Sequence, residues 1–326
     1  MRDHGGNLDQ AIARFGGAAE GWIDLSTGIN RQPYPVPRLS PDAWAALPRR
    51  GAEAALISAA AHAYRTGAAI LPLAGAQAAI QLVPRLGPPG RARVLSPTYN
   101  EHAAALRTGG WTVEEVTTPG ALAGADLAVL VNPNNPDGRC LSPAELRDLA
   151  PRVGRLVVDE SFADACPELS VAGIPNPGII VLRSFGKFYG LAGLRLGFAL
   201  GTEAEIAALA AMAGPWAVSG PALEIGAKAL RDDAWADDTR ARLASEAPRI
   251  DALAARAGWR LAGGAALFRL YDTPDAGAAQ TGLARHGIWS RIFPGNARWL
   301  RLGLPGSEAE WARLARAMEE ADAIHP

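Results

Sequence analysis

The sequence predicts an α/β fold: a mostly parallel sheet with helices on both faces, joined to a smaller α+β domain. Three observations carry this. Between about residues 70 and 200, short apolar runs alternate with helical segments, as in strands linked by crossover helices. Most of these runs, such as 127–131 and 179–182, are continuous rather than alternating, which fits a sheet covered on both faces. After residue 220 a long helical pattern is followed by further strands and a last helix, and 326 residues leave room for about two domains.

In chain order, residues 1–50 are rich in glycine and proline, with a dense turn segment at 28–37, and read as an irregular arm. Residues 53–64 place Leu56, Ile57, Ala60 and Tyr64 at helical spacing. Strands are expected at 94–95, 113–116, 127–131, 156–159, 179–183 and 197–200, and helices at 77–83, 102–107, 143–149 and 203–212. Ser142-Pro143-Ala144-Glu145 is a strong helix start, with a capping serine, proline at the first position and glutamate at the third. A helical pattern covers 221–257 with a break near Ala234; strands follow at 259–262, 266–270 and 299–302, and a helix at 307–323. The division expected is an arm, 1–50, joining the small domain, a large domain, 51–220, and a small C-terminal domain, 221–326.

Composition narrows the function classes. Apolar residues make up 49% and charged residues 20%, a globular balance. A net charge of −1 gives no electrostatic footprint for nucleic acid or an anionic membrane, so the partner expected is a small molecule. Cys140 and Cys166 are too few for a disulfide framework and have no metal-ligand spacing, so no metal is expected and a reducing cytoplasm suits the chain. The first ten residues lack the apolar segment of a signal peptide, and no apolar stretch of membrane-spanning length is free of charge or proline.

Ligands of open parallel sheets bind beyond the carboxyl ends of the strands. The run 127–131 is followed by Asn132-Pro133-Asn134-Asn135-Pro136-Asp137-Gly138, the run 156–158 by Asp159-Glu160-Ser161-Phe162, and the run 179–182 by Arg183-Ser184-Phe185-Gly186-Lys187. Singly, each is an ordinary turn, cap or solvated charge; on successive strands they bring an amide, a carboxylate and an amine to one edge. A lysine among small and apolar residues favours Schiff-base chemistry. A carboxylate can keep a pyridine nitrogen protonated, and an asparagine can bond a phenolate oxygen. Together these are the needs of pyridoxal phosphate. Gly75-Ala76-Gln77 opens a helix whose N–H groups can hold a dianion. Ser184 and Arg195 can add a hydroxyl and a guanidinium. Tyr99, after another strand, can stack on the ring.

The segments NPNNPDG (132–138), VVDESFAD (157–164) and RSFGKFYGLAGLRLG (183–197) resemble the fold-type-I pyridoxal-phosphate enzymes, class I/II aminotransferase branch. RLGLP (301–305) extends the resemblance over most of the chain. It implies that Lys187 carries the cofactor as a Schiff base, Asp159 pairs with the pyridinium nitrogen and Asn135 with the ring hydroxyl oxygen. It further implies that Tyr99 stacks on the ring, that Gly75, Ala76, Gln77, Ser184 and Arg195 hold the phosphate, that Arg301 binds a substrate carboxylate, and that the protein is a homodimer. Two positions depart from the branch. Phe162 stands where a tyrosine is usual, and Leu47-Pro48-Arg49 where a Tyr-Pro-Asp segment usually reaches the phosphate across the dimer.

The opening His4-Gly5-Gly6-Asn7, the stretch Asp24-Leu25-Ser26 to Asn30, and Phe162 resemble the L-threonine O-3-phosphate decarboxylases of cobalamin synthesis. That resemblance implies a substrate with two anions: Arg291, His4, Gly6 and Asn30 would hold the phosphate and Arg301 the carboxylate, with Asn135 also at the substrate. An aminotransferase of the histidinol-phosphate type stays open as the alternative. A regulatory binding protein built on a degenerate domain of this kind is disfavoured by the intact Lys187 and Asp159.

Overall fold

The structure, a computed structural model, describes residues 5–173 and 177–322. It divides into two compact units. The smaller draws on the described residues of Met1–Gln32, Pro136–Gly138 and Thr239–Pro326, the larger on Pro33–Asn135 and Arg139–Asp238.

The smaller unit opens with α1 (Leu8–Phe15), capped by the Asn7 side chain, and β1 (Ile23–Asp24). The arm expected to be irregular is therefore partly ordered. Trp22 packs edge-on against Trp289 with ring centroids 6.3 Å apart, which gives these first residues an apolar anchor.

The larger unit starts with α2 (Pro41–Ala45) and α3 (Arg50–Ala63), then alternates β2 (Ala69–Leu73), α4 (Ala76–Leu82), β3 (Arg91–Leu95), α5 (Glu101–Thr108), β4 (Thr112–Val116), β5 (Leu127–Val131), α6 (Pro143–Leu149), β6 (Leu156–Asp159), β7 (Ile179–Ser184), α7 (Phe185–Phe188), β8 (Gly197–Gly201), α8 (Glu203–Ala213) and α9 (Gly220–Ala229). The sheet order is β2-β8-β7-β6-β5-β3-β4, with only β8 antiparallel to its neighbours. The predicted α/β class is the one observed. β5 and β6 are buried along their whole length, which is why they read as unbroken apolar runs. The sequence does not announce β2, because Pro72 interrupts its pattern; the strand lies at the sheet edge, where a residue with no N–H to donate is tolerated.

The long helical pattern is broken just before Ala234. α9 ends at Ala229, and α10 (Asp233–Arg256) starts beneath Asp232, whose carboxylate accepts from Trp235 N–H. The segments 33–50 and 221–238, grouped from sequence with the arm and the small domain, belong in this division to the larger unit. Gly220 shows how tightly they pack there, since a Cβ on it would lie 2.2 Å from the Ala43 carbonyl oxygen.

The smaller unit continues with β9 (Arg260–Ala265), β10 (Phe268–Asp272), α11 (Ala276–Arg285), β11 (Ile288–Trp289), β12 (Arg291–Phe293), β13 (Asn296–Gly303) and α12 (Glu308–Asp322). Four of these strands form an antiparallel sheet in the order β12-β13-β10-β9, while β1 pairs in parallel with β11. Among the described residues no helix is long and apolar enough to cross a membrane.

Candidate active site

Register brings the chemistry together. Val131 of β5 pairs with Asp159 of β6, and Asp159 with Leu182 of β7, so three strand ends are level and the residues just beyond them meet. One cavity of the larger unit is lined by Gly75, Ala76, Gln77, Tyr99, Asn135, Asp159, Ser184, Lys187 and Arg195, all the residues expected around the cofactor. Phe162 and Ser161 line it too.

Asp159 is almost fully buried. Burial pushes its carboxyl up, but hydrogen bonding and charge from His102, together with bonds from Ser161, outweigh this and hold it below its ordinary value. Ser161 Oγ and N–H donate to Oδ1 at 2.5 and 2.9 Å, and His102 Nε2 lies 2.8 Å from Oδ2. Because an ionised carboxylate only accepts, His102 Nε2 carries a proton there. Lys187, in the single turn α7, is half-buried, its Nζ 5.7 Å from the centroid of the Phe162 ring.

The phosphate end is built from backbone. Gly75 turns with φ +81°, and α4 begins at Ala76, so its first N–H groups have no acceptor within the helix. The Arg195 guanidinium lies over this turn: a Cβ on Gly75 would come 2.8 Å from Arg195 Nη2. A Cβ on Gly197 would come 2.3 Å from Ala76 N. Both glycines thus keep the turn open to an anion. With a buried carboxylate, an amine, an amide and an aromatic ring in the same cavity, this donor set fits pyridoxal phosphate.

The residues expected at the substrate lie mostly in the smaller unit. Arg291 of β12 is the direct cross-strand partner of Arg301 of β13. Burial, and then the charge of Arg291, push the Arg301 guanidinium down to about 9; Arg301 Nη2 donates to the Ser26 carbonyl at 2.6 Å. Arg291 also lines a cavity with Gly5, Ser26 and Ser290. Gly6 N–H donates to Ser26 Oγ at 2.7 Å. The side-chain oxygen of Asn30 accepts from Gln32 N–H and from Arg242 Nη2 at 2.8 Å, so it is engaged within the unit. Asn135 belongs to the larger unit. His4 lies outside the described residues.

Comparison with known proteins places this architecture. The family model "Aminotransferase class I and II" matches residues 22–318. The chain belongs to that family. Two relatives, each a threonine-phosphate decarboxylase, are 46% identical to it. The one from Pseudomonas aeruginosa aligns over 98% of this chain and 97% of its own, and the one from a Sinorhizobium species over 97% of each. The crystal structure of histidinol-phosphate aminotransferase from Sinorhizobium meliloti in complex with pyridoxal-5'-phosphate superimposes with a TM-score of 0.81. At 21% identity, and covering 98% of this chain and 95% of that one, it is a match of fold.

In this member of the aminotransferase family, several buried groups behind the cavity were not anticipated from sequence. Besides His102, Asn134 holds two loops together: Thr98 Oγ1 donates to its Oδ1 at 2.6 Å, and its Nδ2 donates to the Pro97 carbonyl at 2.9 Å. That fastens the loop bearing Asn135 to the loop bearing Tyr99. Arg183, fully buried, bridges Glu160 and Asp164, each at 2.8 Å, and lies 4.3 Å from the Tyr64 ring centroid. Its neighbour in sequence is Ser184, and that of Glu160 is Asp159, so this ion cluster pins two strand ends from the face opposite the cavity. The only sequence signal for it was a charged residue inside an apolar run.

Proposed function

We propose that the protein is a pyridoxal-phosphate-dependent decarboxylase of L-threonine O-3-phosphate, releasing (R)-1-aminopropan-2-yl phosphate for cobalamin biosynthesis. The observation that carries this is the Arg291–Arg301 pair. Two guanidiniums opposite each other on adjacent strands, one of them buried, suit a ligand with two anionic groups. The name shared by the two relatives of 46% identity supports the same substrate.

The bound cofactor would supply an electron sink for the bond broken at Cα of the substrate. The chain's residues would do the rest. Asp159, kept ionised, holds the proton on the ring nitrogen. Asn135 donates to the ring oxygen, and Tyr99 covers the ring. The N–H groups of Gly75 to Gln77, with Ser184 and Arg195, bind the phosphate. Lys187 is the covalent anchor, and its amine is the group that moves a proton at Cα. Arg301 takes the substrate carboxylate and Arg291, with His4, Gly6 and Asn30, the substrate phosphate.

The working form is a homodimer. Val36, Trp44, Leu47 and Trp216 of the larger unit are exposed large apolar side chains, a cost that a partner surface would remove. Neither Cys140 nor Cys166 is in a disulfide, in keeping with a cytoplasmic setting.

The test is product analysis with L-threonine O-3-phosphate. Release of carbon dioxide and aminopropyl phosphate without a keto acid is expected. Amino transfer that requires a keto acid, with no carbon dioxide, would instead establish an aminotransferase of the histidinol-phosphate type.

A further inference from the structure

The first turn of α5 presents two side chains to the cofactor cavity from behind. His102 reaches Asp159. The residue before it, Glu101, is buried at 6% exposure and reaches a different part of the cavity. Gln77 Nε2 donates to Glu101 Oε2 at 2.9 Å, and Tyr99 O–H donates to Gln77 Oε1 at 3.3 Å. Gln77 and Tyr99 both line the cavity; Glu101 stands one hydrogen bond behind Gln77.

Chemistry gives this chain of bonds a direction. A carboxylate only accepts, so the end of the Gln77 amide that faces Glu101 is its NH2. The other end is then the carbonyl, and a carbonyl facing a phenol requires the phenol to donate. A charged acceptor at one end therefore sets the polarity of two further groups: its own bond from Gln77 is charge-assisted, and the longer neutral bond from Tyr99 takes its direction from it. Without the charge, a terminal amide can turn over at little cost and the Tyr99 hydroxyl loses its fixed acceptor.

We propose that Glu101 is a positioning residue of the cofactor site: through the Gln77 amide it fixes the hydroxyl, and hence the ring, of Tyr99. This rests on the reading of the cavity as the pyridoxal-phosphate site. Glu101 is not among the residues that line the cavity; it acts through Gln77 and Tyr99.

A double-mutant cycle on cofactor binding tests it. Apoenzyme is titrated with pyridoxal phosphate, following protein fluorescence and the visible circular dichroism of the bound cofactor. Glu101→Gln keeps the volume of the side chain and removes the charge; Tyr99→Phe removes the hydroxyl. Each is expected to weaken cofactor binding about 10-fold and to change the dichroic band in the same way, with Glu101→Gln adding less than about 2-fold in the Tyr99→Phe background. Gln77→Ala leaves α5 untouched and is expected to reproduce the single loss, so the chain is tested even where the Glu101 variants fold poorly. Losses that multiply in the double variant would overturn the proposal, as would wild-type affinity and dichroism in Glu101→Gln or Gln77→Ala. A wild-type protein that binds no pyridoxal phosphate would overturn the cofactor reading itself and this inference with it.

Discussion

His102 Nε2 lies 2.8 Å from Asp159 Oδ2, and both side chains are only 3% exposed. Together with the bonds from Ser161, this contact outweighs the desolvation of the carboxylate and holds it below its ordinary value. His102→Ala leaves that carboxylate buried with one partner fewer, a loss of about 1–3 kcal/mol, more where the group is charged. Its carboxyl should rise, and the acid limb of the pH profile of kcat/KM should move to higher pH. An acid limb unchanged in His102→Ala would show that Asp159 is held by Ser161 alone. The linkage has a definite sign. A carboxyl lowered on folding stabilises the protein above its unfolded value, near 3.8, and that contribution is lost as pH falls below it. Acid unfolding of His102→Ala should therefore begin at higher pH than that of the wild type.

Lys187→Ala should fold with wild-type secondary structure and bind pyridoxal phosphate without a borohydride-reducible lysine adduct. Asp159→Ala should retain that adduct at Lys187 and lose several kcal/mol of transition-state stabilisation, because the buried charge pair is gone. Mass spectrometry after reduction identifies the labelled lysine. A full adduct on another lysine in Lys187→Ala would disprove the assignment.

Arg291 and Arg301 face each other across β12 and β13 and should divide the substrate's two anions. Losing an arginine–anion pair from a closed site costs about 2–5 kcal/mol. Arg291→Ala should weaken L-threonine O-3-phosphate by that amount and spare plain threonine, whereas Arg301→Ala should weaken both. Arg→Lys at either position should rescue only in part, since an ammonium cannot match the planar fork. Removing Arg291 also relieves a repulsion on Arg301, so the Tm of the free Arg291→Ala protein should not fall. Equal losses for both ligands, read by calorimetry, would refute the two-anion assignment.

Arg183→Ala strands Glu160 and Asp164, which are both buried. Breaking a buried ion cluster by removing one member costs about 3–5 kcal/mol. Urea unfolding should show this as a lower midpoint. Because Arg183 and Glu160 sit beside Ser184 and Asp159, cofactor affinity should fall as well. A midpoint within error of the wild type would mean that the two carboxylates are solvated or protonated without penalty.

What the sequence determined by itself was local. Continuous apolar runs such as 127–131 specify strands buried on both faces, Ser142 with Glu145 specifies a capped helix, and the residues beyond each run identify the chemistry, since side-chain type and spacing are covalent facts. That the residues expected around the cofactor line one cavity was legible for that reason: in a parallel sheet, the ends of adjacent strands are neighbours. Long-range pairing decided the rest. Pro72 hid β2 because only its place at the sheet edge makes a proline acceptable there. Nothing in Glu101-His102 or in Asn134 announces a partner, for their bonds to Gln77, Asp159 and Thr98 join elements well separated in the chain. Arg291 and Arg301 are each expected from the sequence to hold an anion, but their placement directly opposite one another comes from the register of β12 on β13. Such contacts exist only once the chain has folded, because a buried polar group takes its partner from whatever the packing brings within reach.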